Sequence, residues 1–217
     1  MGVAVIVMGR SGTGKSTSMR TFAPGELGLV NVLGKPLPFR SKIPQLVTTD
    51  YERVKGALAA SKARSVAVDD AGYLITDMFM MRHSSAGIGN GVYQLYNDIG
   101  DSFYTLLRFI ASDLPADKIV YVVMHEDSDD FGRSRIKTIG KLLDEKVTVE
   151  GMVSIVLRST IRDGEYLFQT NGEGICKSPE GMFAEEYVPN DLRAVDAAIR
   201  EYWGLAPLAD ERNGETK

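Results

Sequence analysis

Gly2-Val3-Ala4-Val5-Ile6-Val7-Met8 runs directly into Gly9-Arg10-Ser11-Gly12-Thr13-Gly14-Lys15-Ser16-Thr17. The first stretch is a short apolar, β-branched run of the kind that forms a buried strand. The second satisfies G-x-x-x-x-G-K-[ST] at every fixed position. Its glycines let backbone N–H groups turn inward around an anion without Cβ interference. A helix opening after the loop would point its positive end at the same spot. In such a loop Lys15 supplies a charge for the β- and γ-phosphates, and Ser16 a hydroxyl ligand for Mg²⁺. Gly9 to Thr17 are therefore the expected contacts of a nucleoside triphosphate. The bland alternative is a glycine-rich turn that binds nothing.

The chain has 217 residues, 44% hydrophobic and 25% charged, which suits one large domain, or a core with appendages, able to bury a substantial core. No apolar run approaches the roughly 18 residues that a membrane span needs, and the N-terminal apolar run is expected to serve as a strand rather than a leader. A single cysteine, Cys176, excludes an internal disulfide framework and fits a reducing cytoplasm. With one Cys and two His far apart, a zinc site is not expected. The net charge of −4 means that any nucleic-acid contact must come from a local basic patch.

Along the chain, Lys15 to Phe22 is expected to form the first helix, stopped by Pro24-Gly25, and Leu27 to Leu33 a second strand. Thr49-Asp50-Tyr51-Glu52 reads as a capping box opening a helix to about Lys62. Ser65-Val66-Ala67-Val68-Asp69-Asp70 is a buried-type strand ending in carboxylates. In an open α/β sheet that end lies at the ligand edge. Asp69 is the candidate second anchor for Mg²⁺, and Asp70 the candidate group to orient or deprotonate an attacking water; both would equally serve to stop a strand. Arg82 to Gly91 is a small, polar, glycine-rich loop, followed by a helix with Tyr96, Ile99, Phe103, Leu106, Leu107 and Ile110 at helical spacing. Lys118 to Met124 is another buried strand, ending in His125-Glu126 on the same edge as Asp69. Asp127 to Lys141 reads as a charged flap. Val147 to Thr160 and Glu165 to Thr170 form a hairpin around Arg162-Asp163-Gly164. Pro189-Asn190-Asp191 caps a last helix carrying Leu192, Val195, Ile199 and Tyr202. The polar stretch 204–217 is expected to fray as a tail behind a domain of residues 1–203.

This order of elements resembles the RecA-like P-loop NTPase core: a mostly parallel sheet flanked by helices, with a C-terminal antiparallel hairpin. Within that class the chain is similar, from Val3 to about Tyr202, to small bacteriophage ATPases of the AAA type, some of which are single-strand annealing recombinases (the Sak group). The more particular carriers are Gly34-Lys35-Pro36-Leu37-Pro38-Phe39, Leu143-Asp144-Glu145-Lys146-Val147-Thr148-Val149-Glu150-Gly151 and Lys177-Ser178-Pro179-Glu180-Gly181-Met182-Phe183. Pro189-Asn190-Asp191-Leu192 with Val195-Asp196 adds to them.

The resemblance implies ATP and Mg²⁺ as ligands, with phosphate contacts from Gly12, Gly14, Lys15, Ser16 and Thr17 and metal coordination through Ser16 and Asp69. It implies His125 as a γ-phosphate sensor and Lys177 as a basic finger toward a neighbouring subunit's nucleotide; a structural histidine and a plain surface lysine are the alternatives. It further implies a cytoplasmic protein that self-associates into a ring or filament on single-stranded DNA, with a phage single-strand-binding or replication protein as a further partner. DNA contacts would come from Arg82, Phe131, Arg133, Arg135, Lys137 and Lys141. One departure stands out: where RecA-like proteins carry a catalytic glutamate after the second strand, this chain reads Leu33-Gly34-Lys35. Two other classes share the opening motif, a nucleoside or nucleotide kinase and a non-hydrolysing ATP-binding scaffold or loader.

Overall fold

The computed structural model describes residues 1–87, 89–129, 131–140, 142–172 and 174–208. The alternating apolar residues of the first strand explain the layering. In β1 (Val3–Gly9), Ile6 and Met8 face one side of the sheet while Val5 and Val7 face the other, and all four are fully buried. A strand buried on both faces must sit in the middle of an α/β sandwich. It does. β1 pairs in parallel with β5 (Ile119–Ser128) on one side and β7 (Ile155–Arg162) on the other. The remaining strands are β2 (Leu27–Asn31), β3 (Gln45–Val47), β4 (Ser65–Asp69), β6 (Ser134–Ile136), β8 (Glu165–Gln169) and β9 (Tyr187–Pro189). Among the described residues the order is β3-β2-β4-β5-β1-β7-β8-β9, with β6 antiparallel on the far end of β5. Among the described residues the β5–β6, β7–β8 and β8–β9 pairings are antiparallel and the other strand pairings parallel, so the sheet is mixed but mostly parallel.

Helices α1 (Tyr51–Ala60), α2 (Gly72–Arg82) and α3 (Asn90–Asp113) cover the Ile6/Met8 face. The α3 stripe of Ile99, Phe103, Leu106, Leu107 and Ile110 is buried there as its spacing requires, while Tyr96 is only half-buried. Helix α4 (Leu192–Trp203) and the segment around Met19 and Phe22 cover the Val5/Val7 face. Asp191 caps α4, accepting from the Arg193 and Ala194 amides. Leu192, Val195 and Ile199 are buried, but Tyr202 points outward, because Asp196 and Arg200 take the inner positions instead. Asp196 accepts hydrogen bonds from Tyr121 Oη (2.8 Å), Arg200 Nε (2.5 Å) and Ser65 Oγ. This closed polar cluster ties α4 to β4 and β5. Residues 205–208 fold back behind it, with Leu205 and Leu208 on the core and the Ala206 and Pro207 carbonyls accepting from Arg200 and Arg64; residues 209–217 of the expected tail lie outside the described residues.

Several local expectations are corrected. The segment after the glycine loop is a 3-10 helix, Ser16–Thr21, because Ser18 Oγ bonds back to the Lys15 carbonyl (2.6 Å) and Phe22 N to Met19 O. The α1 cap is Asp50, accepting from Arg53 N at 2.8 Å, rather than Thr49. Helix α2 was not expected; GYLITDMFMMR is apolar nearly all round and shows no helical stripe. It shortens the loop expected over Arg82 to Gly91, Arg82 being its last residue. β5 does not stop at Met124 but runs through His125-Glu126 to Ser128, and the flap is its hairpin with β6. Residues before Ile155 form π- and 3-10 turns instead of strand. The β7–β8 hairpin is as read: Asp163 (φ 51°) and Gly164 (φ 82°) supply the two left-handed positions its tight turn requires.

Asp196→Ala should leave the Arg200 guanidinium buried and unpaired, at a cost of about 3–5 kcal/mol. Urea unfolding followed by circular dichroism measures this; a loss under ~1 kcal/mol would show that the cluster does not hold α4 down.

Candidate functional site

The parallel register delivers the ends of β2, β4, β5, β1 and β7 to one edge. Asn31 faces Asp69, and Gly9 faces His125 on one side and Ser159 on the other. Above this row lies a cavity of about 440 Å³. Its floor is the glycine loop, including Gly12, Gly14, Lys15, Ser16 and Thr17. Lys35, Pro38, Asp70 and His125 form one wall; Arg20, Tyr166 and Asn190 form the other.

The loop is held from below. Ser159 Oγ donates to the Thr13 carbonyl (2.5 Å) and Asn190 Nδ2 donates to Ser159 Oγ (3.2 Å). Gly14 has φ +95°, and a Cβ there would lie 3.0 Å from Asn190 Oδ1 and from the Tyr166 ring. Only glycine lets the loop close over those side chains. Asn190 Oδ1 is buried and has no partner among the described residues. Lys15 Nζ donates to the Gly9 and Arg10 carbonyls at 2.9 and 2.8 Å. Burial pushes its ammonium below the ordinary lysine value, with the charges of Asp70 and Asp69 opposing. Arg10 reaches Ser128 Oγ (3.4 Å), joining the loop to the base of the β5–β6 hairpin.

Ser16 Oγ donates to Asp69 Oδ1 at 3.0 Å. Oxygens occupying adjacent positions of an octahedral Mg²⁺ shell, at ~2.1 Å from the ion, lie about 3.0 Å apart. The pair therefore fits a shared Mg²⁺. Among the described residues no cluster of three or more His, Cys, Asp or Glu side chains could hold a metal, so such an ion would depend on water and ligand oxygens, which is how Mg²⁺ is usually bound. Burial raises the Asp69 carboxyl above its ordinary value, and the Ser16 hydrogen bond partly offsets this.

Asp70, just past the end of β4, has a left-handed backbone (φ 59°). Its oxygens meet Lys35 Nζ at 2.5 Å and His125 Nε2 at 3.3 Å. Burial would raise this carboxyl, but the hydrogen bonds from His125 and Lys35 outweigh it and hold it below the usual range. A carboxylate so engaged is a weak proton acceptor until a partner leaves. His125 also stands edge-on to Tyr73, at 5.9 Å between ring centres. Next along β5, buried Glu126 accepts two bonds from Arg158 (3.0 and 2.7 Å) and one from Ser134 (2.7 Å).

The other expected residues are dispersed. Lys177 pairs through its backbone with Val156, three residues before Ser159 on β7, or about 10 Å from the loop along the strand; it does not line the cavity. Arg82 holds Asp98 at 2.5 Å at the far end of α2, about 15 Å along that helix from the flap side. On the flap, Phe131 is 84% exposed with the Arg133 guanidinium over its ring at 5.4 Å. Arg133 and Arg135 each pair with an acid of the same hairpin, Asp129 and Asp127. Lys137 lines a second cavity beside His125, and Lys141 lies outside the described residues. Lys35, Arg20, Tyr166 and Asn190 were not anticipated in the site. Asn190 had been read as part of a helix cap, Arg20 as part of the helix after the glycine loop, and Lys35 only as part of the turn after the second strand where a glutamate is missing; nothing local in sequence marks Tyr166.

Compared with protein-family models the chain matches none, and no curated protein matches it significantly. No helix among the described residues is long and apolar enough to cross a membrane.

Because its native-state carboxyl is depressed, Glu126 contributes stability that is present above its ordinary value of 4.5 and lost as pH falls through the lower folded value. Glu126→Gln should cost about 2–3 kcal/mol at pH 7 and flatten the acid limb of the melting curve. An unchanged acid limb in the variant would mean that Glu126 is not the group responsible.

Proposed function

We propose that this chain is a RecA-like P-loop ATPase that binds ATP with Mg²⁺ and works on single-stranded DNA as an oligomer, in the manner of the phage annealing ATPases that its sequence resembles. The observation that carries the nucleotide part is the Ser16–Asp69 contact at 3.0 Å beneath a glycine loop whose lysine is within reach. A strand-end carboxylate and a loop hydroxyl arrive from positions 53 residues apart at the spacing one cation needs. In this reading the Gly12, Gly14, Lys15, Ser16 and Thr17 backbone cradles phosphates, Lys15 leaves the loop carbonyls for the β- and γ-phosphates, and Ser16 with Asp69 holds the metal. His125 faces the terminal phosphate. Positive charge there would stabilise the transferring phosphoryl group. Lys177, remote from its own cavity, serves a neighbouring subunit.

The DNA part rests on the resemblance and on the flap. Exposed Phe131 beside Arg133 offers a stacking face with a cation, and Arg10 links that hairpin to the glycine loop. One observation favours a second reading, a small-molecule kinase. A cavity of about 410 Å³ shares His125 with the first and is bordered by Tyr73, Thr76, Glu126 and Lys137, where a phosphate acceptor would fit.

Lys15→Ala and Asp69→Ala should each weaken Mg–ATP binding at least tenfold in calorimetry, since each removes a charged contact worth about 1.5–3 kcal/mol. Unaltered affinity in Lys15→Ala would overturn the nucleotide reading. Binding to a labelled single-stranded oligonucleotide should weaken as salt rises, and Phe131→Ala should lower it several-fold at about 1–3 kcal/mol per stacked base. ADP release strictly dependent on an added nucleoside or nucleotide, with no oligonucleotide binding at low salt, would favour the kinase.

A further inference from the structure

We infer that Lys35 is a second phosphate-reading cation of the same cavity: it exchanges Asp70 for the terminal phosphate of a bound triphosphate and makes the site prefer triphosphate over diphosphate. This rests on the nucleotide reading above but assigns a residue and a selectivity that the glycine loop does not supply.

The argument begins with how Lys35 is held. Asn31, buried at the end of β2, donates from Nδ2 to the Lys35 carbonyl at 2.7 Å and to Gln45 Oε1 at 3.1 Å. The Gly34 amide bonds back to the Asn31 carbonyl. The backbone is thus pinned where the strand row meets the cavity, while the side chain stays 56% exposed and ends on Asp70 Oδ2. An anchored base with a free arm is what a moving charge needs.

Charge makes the case stronger. Asp69 and Asp70 are both buried beside the cavity. A metal at Ser16 and Asp69 answers one carboxylate. The other, Asp70, faces the space beyond it, where an added phosphoryl group would bring further negative charge. Lys15, leaving the Gly9 and Arg10 carbonyls, serves the phosphates from the loop side, and Arg20, on the opposite wall, donates to the Thr17 and Asn190 carbonyls. Lys35 is the cation on the Asp70 wall that can turn toward a phosphate without uncovering a buried carbonyl. Lys35 is half-exposed although Asp70 is buried, and His125 Nε2 at 3.3 Å also faces that carboxylate, so Lys35 is not its sole partner; an ammonium on a phosphate is a charge-assisted bond. In this assignment a diphosphate, which lacks the terminal group, leaves the Lys35–Asp70 pair as it is.

The test compares Mg-bound non-hydrolysable ATP analogue with Mg–ADP by calorimetry, in wild type, Lys35→Met and Lys35→Arg. Lys35→Met keeps the stem and should lose about tenfold or more in triphosphate affinity, with diphosphate affinity changed less than about twofold. Lys35→Arg should recover part of the preference. Equal losses for both nucleotides, or no loss for the triphosphate, would overturn the proposal and leave Lys35 as a partner of Asp70 alone. Should Lys35→Met not fold by circular dichroism, Lys35→Gln carries the same comparison. Wild-type protein that binds neither nucleotide overturns the reading of the cavity itself; intact binding with an unchanged preference in the variant overturns Lys35 only.

Discussion

Gly9 pairs with His125 on one side and Ser159 on the other, and the whole cavity depends on that register. A parallel sheet aligns strand ends, so one pairing decides which side chains share an edge. Slipping β5 by one residue would turn His125 and Glu126 to opposite faces. His125 would lose Asp70, and the Glu126–Arg158 bridge, which spans two strands flanking β1, could not form.

Around that register the molecule separates rigid from movable charge. Ser159 and Asn190 hold the loop from beneath, and Glu126 with Arg158 locks the strands beside it. Lys15, Lys35 and His125 instead make contacts that a ligand could replace: loop carbonyls for the first, Asp70 for the other two. Burial raises the Asp69 carboxyl while the hydrogen bonds from His125 and Lys35 lower that of Asp70, so two adjacent aspartates differ in character because of their neighbours.

Sequence patterning made the central strands, α3, α4 and the β7–β8 hairpin legible, because each carries a period or turn chemistry of its own. It failed at α2, which is apolar nearly all round, and at β3, β6 and β9, strands of three residues that gain their order from a neighbour. Nor did the sequence show that Arg82, Arg133 and Arg135 each pair with a nearby acid, since those contacts are set by the helix and hairpin they stand on.

The amino-acid order by itself determined the glycine loop, its lysine and serine, and a strand ending in Asp69, since these are short-range patterns with a local physical cause. Only the tertiary structure decided what surrounds them. Arg20 follows Lys15 on the adjoining 3-10 helix, but Lys35, Tyr166 and Asn190 come from separate turns and strands, and no local spacing connects those three to residue 15. Their convergence follows from strand order and register, which arise from burying two faces of one sheet, and that is a property of the whole chain.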